Sequence, residues 1–258
     1  MNRLPVKITL LIAALVTTTL LLPSCKKEKQ STPIAQNGDM KVQFDFVFGS
    51  NQLPWEIGKT MVHTKTGDTL TFSLLKFYVS NIRLKKTDGT WWSEPNSYYL
   101  LCTDCEEGYS FTVKNIPAGN YTEMQYTMGV DSAANTLGAS TGALSLANGM
   151  FWDWNSGYIM LKAEGTSPNS PSGNFIFHLG GFTGTNNVIT VKSTDFGGAV
   201  LDVEKQKYPV VKLLANPARL WHSSPSVSVK SVIHAPGPEA VTMAKDFYNN
   251  IAFKALEQ

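Results

Sequence analysis

The chain has 258 residues, 43% of them hydrophobic and 16% charged, with 22 Lys and Arg against 20 Asp and Glu. That length suits one large β domain or two small ones. The low charge, with abundant Gly, Ser, Thr and Asn, excludes a wholly disordered chain and a coiled coil. A formal net charge of +2 supplies no concentrated basic face, which excludes nucleic acid as a partner.

Residues 1–24 read as an export leader. Arg3 and Lys7 form a basic start, and Leu10 to Leu22 is an apolar run broken only by Thr17, Thr18 and Thr19. Leu22-Pro23-Ser24-Cys25 then sets a small residue directly before a cysteine. The pattern resembles a bacterial lipoprotein signal, with Cys25 as the acylated first residue of the mature chain. Several acyl chains, at about 0.8 kcal/mol per buried methylene, would hold the protein on a membrane. The expected location is the outer membrane, facing the periplasm or the cell surface. An ordinary cleaved signal and an uncleaved anchor helix are the alternatives. Losing Arg3 and Lys7 lowers the basic count from 22 to 20, which equals the acidic count and implies no electrostatic partner.

Residues 25–39 are polar and lack apolar periodicity, as a flexible tether would. Residues 40–258 read as one domain. In Lys41 to Phe48, Val42, Phe44, Phe46 and Phe48 alternate with Lys41, Gln43 and Asp45, Val47 being the exception, which predicts a half-buried strand. Further strands are expected over Leu70 to Val79, Asn81 to Lys86, Tyr98 to Cys102, Tyr109 to Val113 and Tyr121 to Val130. Others follow over Tyr158 to Glu164, Asn174 to Leu179, Asn187 to Ser193, Ala199 to Glu204 and Tyr208 to Leu214. Turn signals such as Asp88-Gly89, Pro117-Ala118-Gly119-Asn120 and Pro171-Ser172-Gly173 separate them. Ser132 to Asn148 reads as a long loop. Near the end, Pro238 and Glu239 suit a first helical turn, and Ala240, Ala244, Phe247 and Ile251 recur at helical spacing. The expected fold is all-β, an antiparallel β-sandwich with long loops and a short C-terminal helix.

With Cys25 acylated, Cys102 and Cys105 remain, in Cys-Thr-Asp-Cys. Export favours a disulfide between them. A metal pair lacks a second Cys pair to complete four thiolates, and a thioredoxin-like site wants a βαβ context. No nucleophile elbow, zinc helix, phosphate loop or dinucleotide fingerprint occurs, so the expectation is a binding protein and not an enzyme.

Four segments stand out in order: Phe77-Tyr78-Val79-Ser80-Asn81-Ile82-Arg83-Leu84, Gly119-Asn120-Tyr121 with Gly129-Val130-Asp131, Met150-Phe151-Trp152-Asp153-Trp154 running to Gly157-Tyr158, and His178-Leu179-Gly180. Together they resemble the MbnP-like family, which includes the copper-binding MopE and CorA proteins of methane-oxidising bacteria. The resemblance implies an exported β-sandwich that binds copper through His side chains and a tryptophan oxidised to kynurenine, the oxidation being made by a haem maturation partner. Imidazole suits copper. An intact indole N–H only donates, whereas ring opening exposes an aromatic amine. On this resemblance His178 is the matched histidine, and Trp152 and Trp154 are the paired tryptophans. The family's second histidine would follow Asn135, where this chain has Thr136.

Each candidate also has a plain structural reading. His178 shares a strand face with Ile176, opposite Phe175, Phe177 and Leu179, and could be a hydrogen-bonded structural residue. Trp152 and Trp154 could be core anchors, or a stacking platform together with Trp91 and Trp92 for a glycan or other ligand bound without metal. His63, before the Gly67-Asp68 turn, is either an exposed loop histidine or the replacement ligand. Met150 and Met160 offer soft sulfur to copper but are first of all core fillers. Asp131, Asn135 and Glu164 are polar anchors or hard-metal ligands. His222 and His234 lie beyond the resemblance and receive no role.

Overall fold

The computed structural model describes residues 36–153 and 155–258; the leader, Cys25, most of the tether and Trp154 lie outside the described residues. The alternation at the start of the domain extends upstream into the strand Gly38–Phe48, in which Met40, Val42, Phe44 and Phe48 are buried. This strand pairs antiparallel with Ser110–Ile116 and parallel with Val210–Ala215. Ala252–Glu257 and Leu53–Pro54 complete this five-stranded sheet.

An eleven-stranded sheet forms the other layer. Its main path runs Thr190–Asp195, Gly119–Met128, Thr69–Lys86, Gly157–Thr166, Asn174–Gly180 and Val232–Ile233. The fold is an all-β sandwich with a short C-terminal helix. Its pairing is antiparallel except where Gly38–Phe48 meets Val210–Ala215 and where Asn174–Gly180 meets Val232–Ile233. Phe44 meets Phe77 edge-on across the two layers, ring centroids 5.3 Å apart. Phe72, Phe175 and Phe177 pack around the fully buried Trp221. Such aromatic pairs contribute roughly 0.5–1.5 kcal/mol each beyond the area they bury.

Three local features differ from the expectation. The strands expected over Leu70 to Val79 and Asn81 to Lys86 are one 18-residue strand, in which Asn81 adopts φ 54° and the pairing register shifts between Ser80 and Arg83. Asparagine tolerates this left-handed conformation because its side chain bonds locally; here the Asn81 amide donates to Asp131, and the Ser97 backbone carbonyl accepts the Asn81 N–H. The expected loop of Ser132 to Asn148 contains the helix Ser132–Leu137, capped by the Asp131 carboxylate accepting from Ala134 N–H, and two 3-10 turns. Finally, the helix Pro238–Asn249 buries Ala240, Met243, Ala244, Phe247 and Tyr248, but a further strand, Ala252–Glu257, follows it.

Candidate metal centre

Strand alternation places Phe175, Phe177 and Leu179 in the core, so Ile176 and His178 fall on the other face of the sheet. Lys162 pairs directly with His178, and Glu164 sits diagonally across with its Oε1 2.7 Å from His178 Nε2. Lys162 Nζ lies 3.6 Å from the same carboxylate oxygen. On the opposite side, Ile176 and Phe177 pair in parallel with Val232 and Ile233. Continuing that register sets His234 beside His178, and their ring centroids are 4.3 Å apart. The Trp152 ring lies 6.2 Å from that of His234. Gly180 makes room for Trp152: a Cβ there would stand 2.6 Å from Trp152 Cζ3 and 2.7 Å from the Tyr158 carbonyl oxygen.

The protonation of this group follows from its geometry. Burial pushes the His178 imidazole below its ordinary pKa, with Lys162 and His234 acting the same way against the pull of Glu164. Burial opposes the Glu164 charge too, but the His178 hydrogen bond and Lys162 outweigh it and hold the carboxyl below its usual range. A carboxylate only accepts, so neutral His178 carries its proton on Nε2 and keeps a lone pair on Nδ1. His178 Nδ1 is buried and has no hydrogen-bond partner. An unsatisfied buried acceptor costs about 1–3 kcal/mol, and an imidazole oriented by a carboxylate on its other nitrogen is the usual state of a metal-ligating histidine. Trp152 Nε1 is likewise buried without a partner.

His63 is elsewhere and otherwise engaged. It is not an exposed loop residue: it is 4% exposed, packed against Phe48 and Trp221. Its Nε2–H donates to the Ala218 carbonyl at 3.0 Å, and Nδ1 accepts from Thr66 N–H at 3.1 Å. Neither nitrogen is free, and none of these partners belongs to the His178 group. Trp154 lies outside the described residues. Thr136 is exposed, its hydroxyl donating to the Ser132 carbonyl. The imidazole that joins His178 is His234, which the sequence reading passed over.

The remaining motif residues are structural. The Asn135 side chain, fully buried, accepts from Tyr158 N–H and donates to the Val130 and Asp131 carbonyls. Gly157 leaves it space, since a Cβ there would lie 2.3 Å from Asn135 Oδ1. Asp131 accepts from Tyr98, Asn81 and Ala134. Met150 is core, and the Met160 sulfur accepts from Val130 N–H. Trp91 lies under Arg83, 4.9 Å from its ring centroid, and no ring contact joins it to Trp152 among the described residues. Cys102 and Cys105 form a disulfide with Cα atoms 5.1 Å apart. Among the described residues, no three His, Cys, Asp or Glu side chains gather as a ligand set; His178 and His234 are neighbouring imidazoles, with Glu164 on the far nitrogen of His178.

Residues 37–235, which include both imidazoles, match the family model described as MbnP. The fold is similar to a solved structure, MbnP from Methylosinus trichosporium, at 15% sequence identity and a TM-score of 0.51, over 80% of this chain and 87% of that one. No curated protein matches the chain.

Proposed function

The chain belongs to the MbnP family, and from that premise we propose that it is an exported, lipid-anchored binding protein for copper, held by His178 and His234. The observation that carries this reading is the buried, unpartnered Nδ1 of a neutral His178 beside a second imidazole. The donor chemistry fits: imidazole nitrogen suits copper in either oxidation state, and the sulfurs of Met150 and Met160 are committed to the core.

Copper would draw on the two imidazoles for its ligand field, while the chain's own residues set the site up. Glu164 holds the proton on His178 Nε2 and so presents Nδ1 to a metal. Lys162 balances the carboxylate charge, and burial excludes water from one side. Among the described residues Trp152 is the tryptophan next to the pair, and its oxidation to kynurenine by a haem partner would turn a donor-only indole into an aromatic amine ligand. On this reading the protein binds and carries the metal and performs no reaction on it.

Copper titration of the wild type against His178→Ala, His234→Ala and His63→Gln tests this. Each of the first two substitutions should weaken binding at least tenfold, and His63→Gln should not. Equal affinity in the wild type, His178→Ala and His234→Ala would sink the assignment.

A further inference from the structure

Although both nitrogens of His63 are engaged, the residue lines a hollow of about 150 Å³ with Ser50, Thr64, Lys65, Arg219 and His222. An adjoining hollow of about 120 Å³ shares Ser50 and Arg219 and adds the amides Gln52, Asn216 and Asn250. No carboxylate lines either one. The chain has as many acids as it needs to pair many of its surface cations, and Lys85, Lys207, Lys212, Lys230 and Lys254 are paired in this way. Among the described residues, Lys65 and Arg219 form no ion pair. The Lys65 ammonium donates to the His222 carbonyl, and Arg219 Nη1 donates to His222 Nδ1 at 3.4 Å. That leaves most of the guanidinium fork unused.

The two charges also act on the neighbouring His63. Burial is the main cause that holds His63 below its ordinary pKa, and Lys65 and Arg219 push the same way against the Ala218 carbonyl and Asp68. Cations that converge on one concavity without a counter-charge repel each other, and a bound anion relieves that repulsion. The Ser50 and Thr64 hydroxyls lie 3.4 Å apart on the wall, and each can rotate to donate to an anion oxygen. At roughly 30 Å³ per water, the hollow holds about five waters, room for one tetrahedral oxyanion.

We propose that this hollow is a phosphate site, in which the Arg219 guanidinium and the Lys65 ammonium bind phosphate oxygens and the Ser50 and Thr64 hydroxyls donate to the same group. Guanidinium is suited to this by its planar fork, which meets two phosphate oxygens at once. The phosphate is either free in solution or the headgroup of a membrane lipid. The site shares no residue with the His178 and His234 pair, so its fate is independent of the copper reading.

The test uses the full chain with Cys25→Ser, which keeps its own acyl chains out of the measurement. Inorganic phosphate is titrated calorimetrically at fixed ionic strength. Separately, the protein is sedimented with vesicles of phosphatidylethanolamine and phosphatidylglycerol, and with phosphate-free digalactosyldiacylglycerol vesicles as the control. Arg219→Gln and the exposed Lys65→Gln should each weaken binding at least tenfold, and His178→Ala should leave it unchanged. Loss of phosphate binding in those variants assigns a free phosphate; loss of binding to anionic vesicles alone assigns a lipid headgroup. Binding to neither probe, or equal binding by wild type, Arg219→Gln and Lys65→Gln, overturns the proposal.

Discussion

His63 and His178 are both buried imidazoles held below their ordinary pKa, and they differ in what their second nitrogen meets. His63 gives one nitrogen to the Ala218 carbonyl and the other to Thr66. His178 gives one to Glu164 and leaves the other bare. Both rings are neutral in the fold, and both gain affinity for a proton on unfolding. Between the folded and unfolded pKa values the unfolded chain therefore binds more protons, and stability rises with pH. The contribution is complete above about pH 6.5 and is lost as the pH falls below it. The metal-free protein should accordingly show a lower Tm at pH 5 than at pH 7.5. His63→Gln should be less stable at pH 7.5 yet lose less on acidification. A wild-type Tm that is flat or rises toward pH 5 would contradict the neutral assignment of both rings.

Gly180 shows how a strand's composition serves the site two residues away. Its missing side chain admits the Trp152 ring over the end of Asn174–Gly180, close to His234. Gly180→Ala would press a methyl group against Trp152 and against the Tyr158 backbone, which cannot move aside. Overpacking of this kind costs about 1–3 kcal/mol, and urea denaturation should show it as a lower midpoint with an unchanged slope. An unaltered midpoint would mean that both the Trp152 ring and the Tyr158 backbone give way. At this scale most strands were legible, because a sheet with one face in the core forces alternation, as in Val42, Phe44 and the Phe175 to Leu179 run. Legibility failed where another force acted. The left-handed Asn81 bulge hides the continuity of Thr69–Lys86. The helix Ser132–Leu137 is too short to show a period and is set by the Asp131 cap. Ala252–Glu257 lies at a sheet edge and carries no fully buried residue to mark it. His178 was marked by the family resemblance, and strand alternation gave only the face it lies on. His234 could not be found, since a parallel pairing of two residues joins segments far apart in the chain and leaves no spacing to read.

For the whole molecule, the decisive expectation concerns Cys25, which lies outside the described residues. The basic start, the apolar run and Leu-Pro-Ser-Cys support acylation at that residue. Cys25→Ser should move the protein from the membrane to the soluble fraction of cells. Unchanged membrane partition would refute acylation and leave an uncleaved anchor helix as the better account. The described domain contains no helix long and apolar enough to cross a membrane.

The parallel pairing of Val232–Ile233 has one further consequence. It holds His234 in place with a strand of two residues, helped by the Ile176 N–H that donates to the Ser231 carbonyl at 2.8 Å. So short an attachment has few hydrogen bonds to break, so its local opening would cost less than global unfolding. Opening would separate the two imidazoles, and closing would reunite them. Any ligand that bridges His178 and His234 binds the closed form alone, so its affinity is reduced by the fraction of time that the segment stands open, and its concentration in turn sets how firmly Ser231 to His234 is held. The grip on the ligand and the fastening of this one strand are thus a single equilibrium, adjustable by substitutions at Val232 that touch neither histidine.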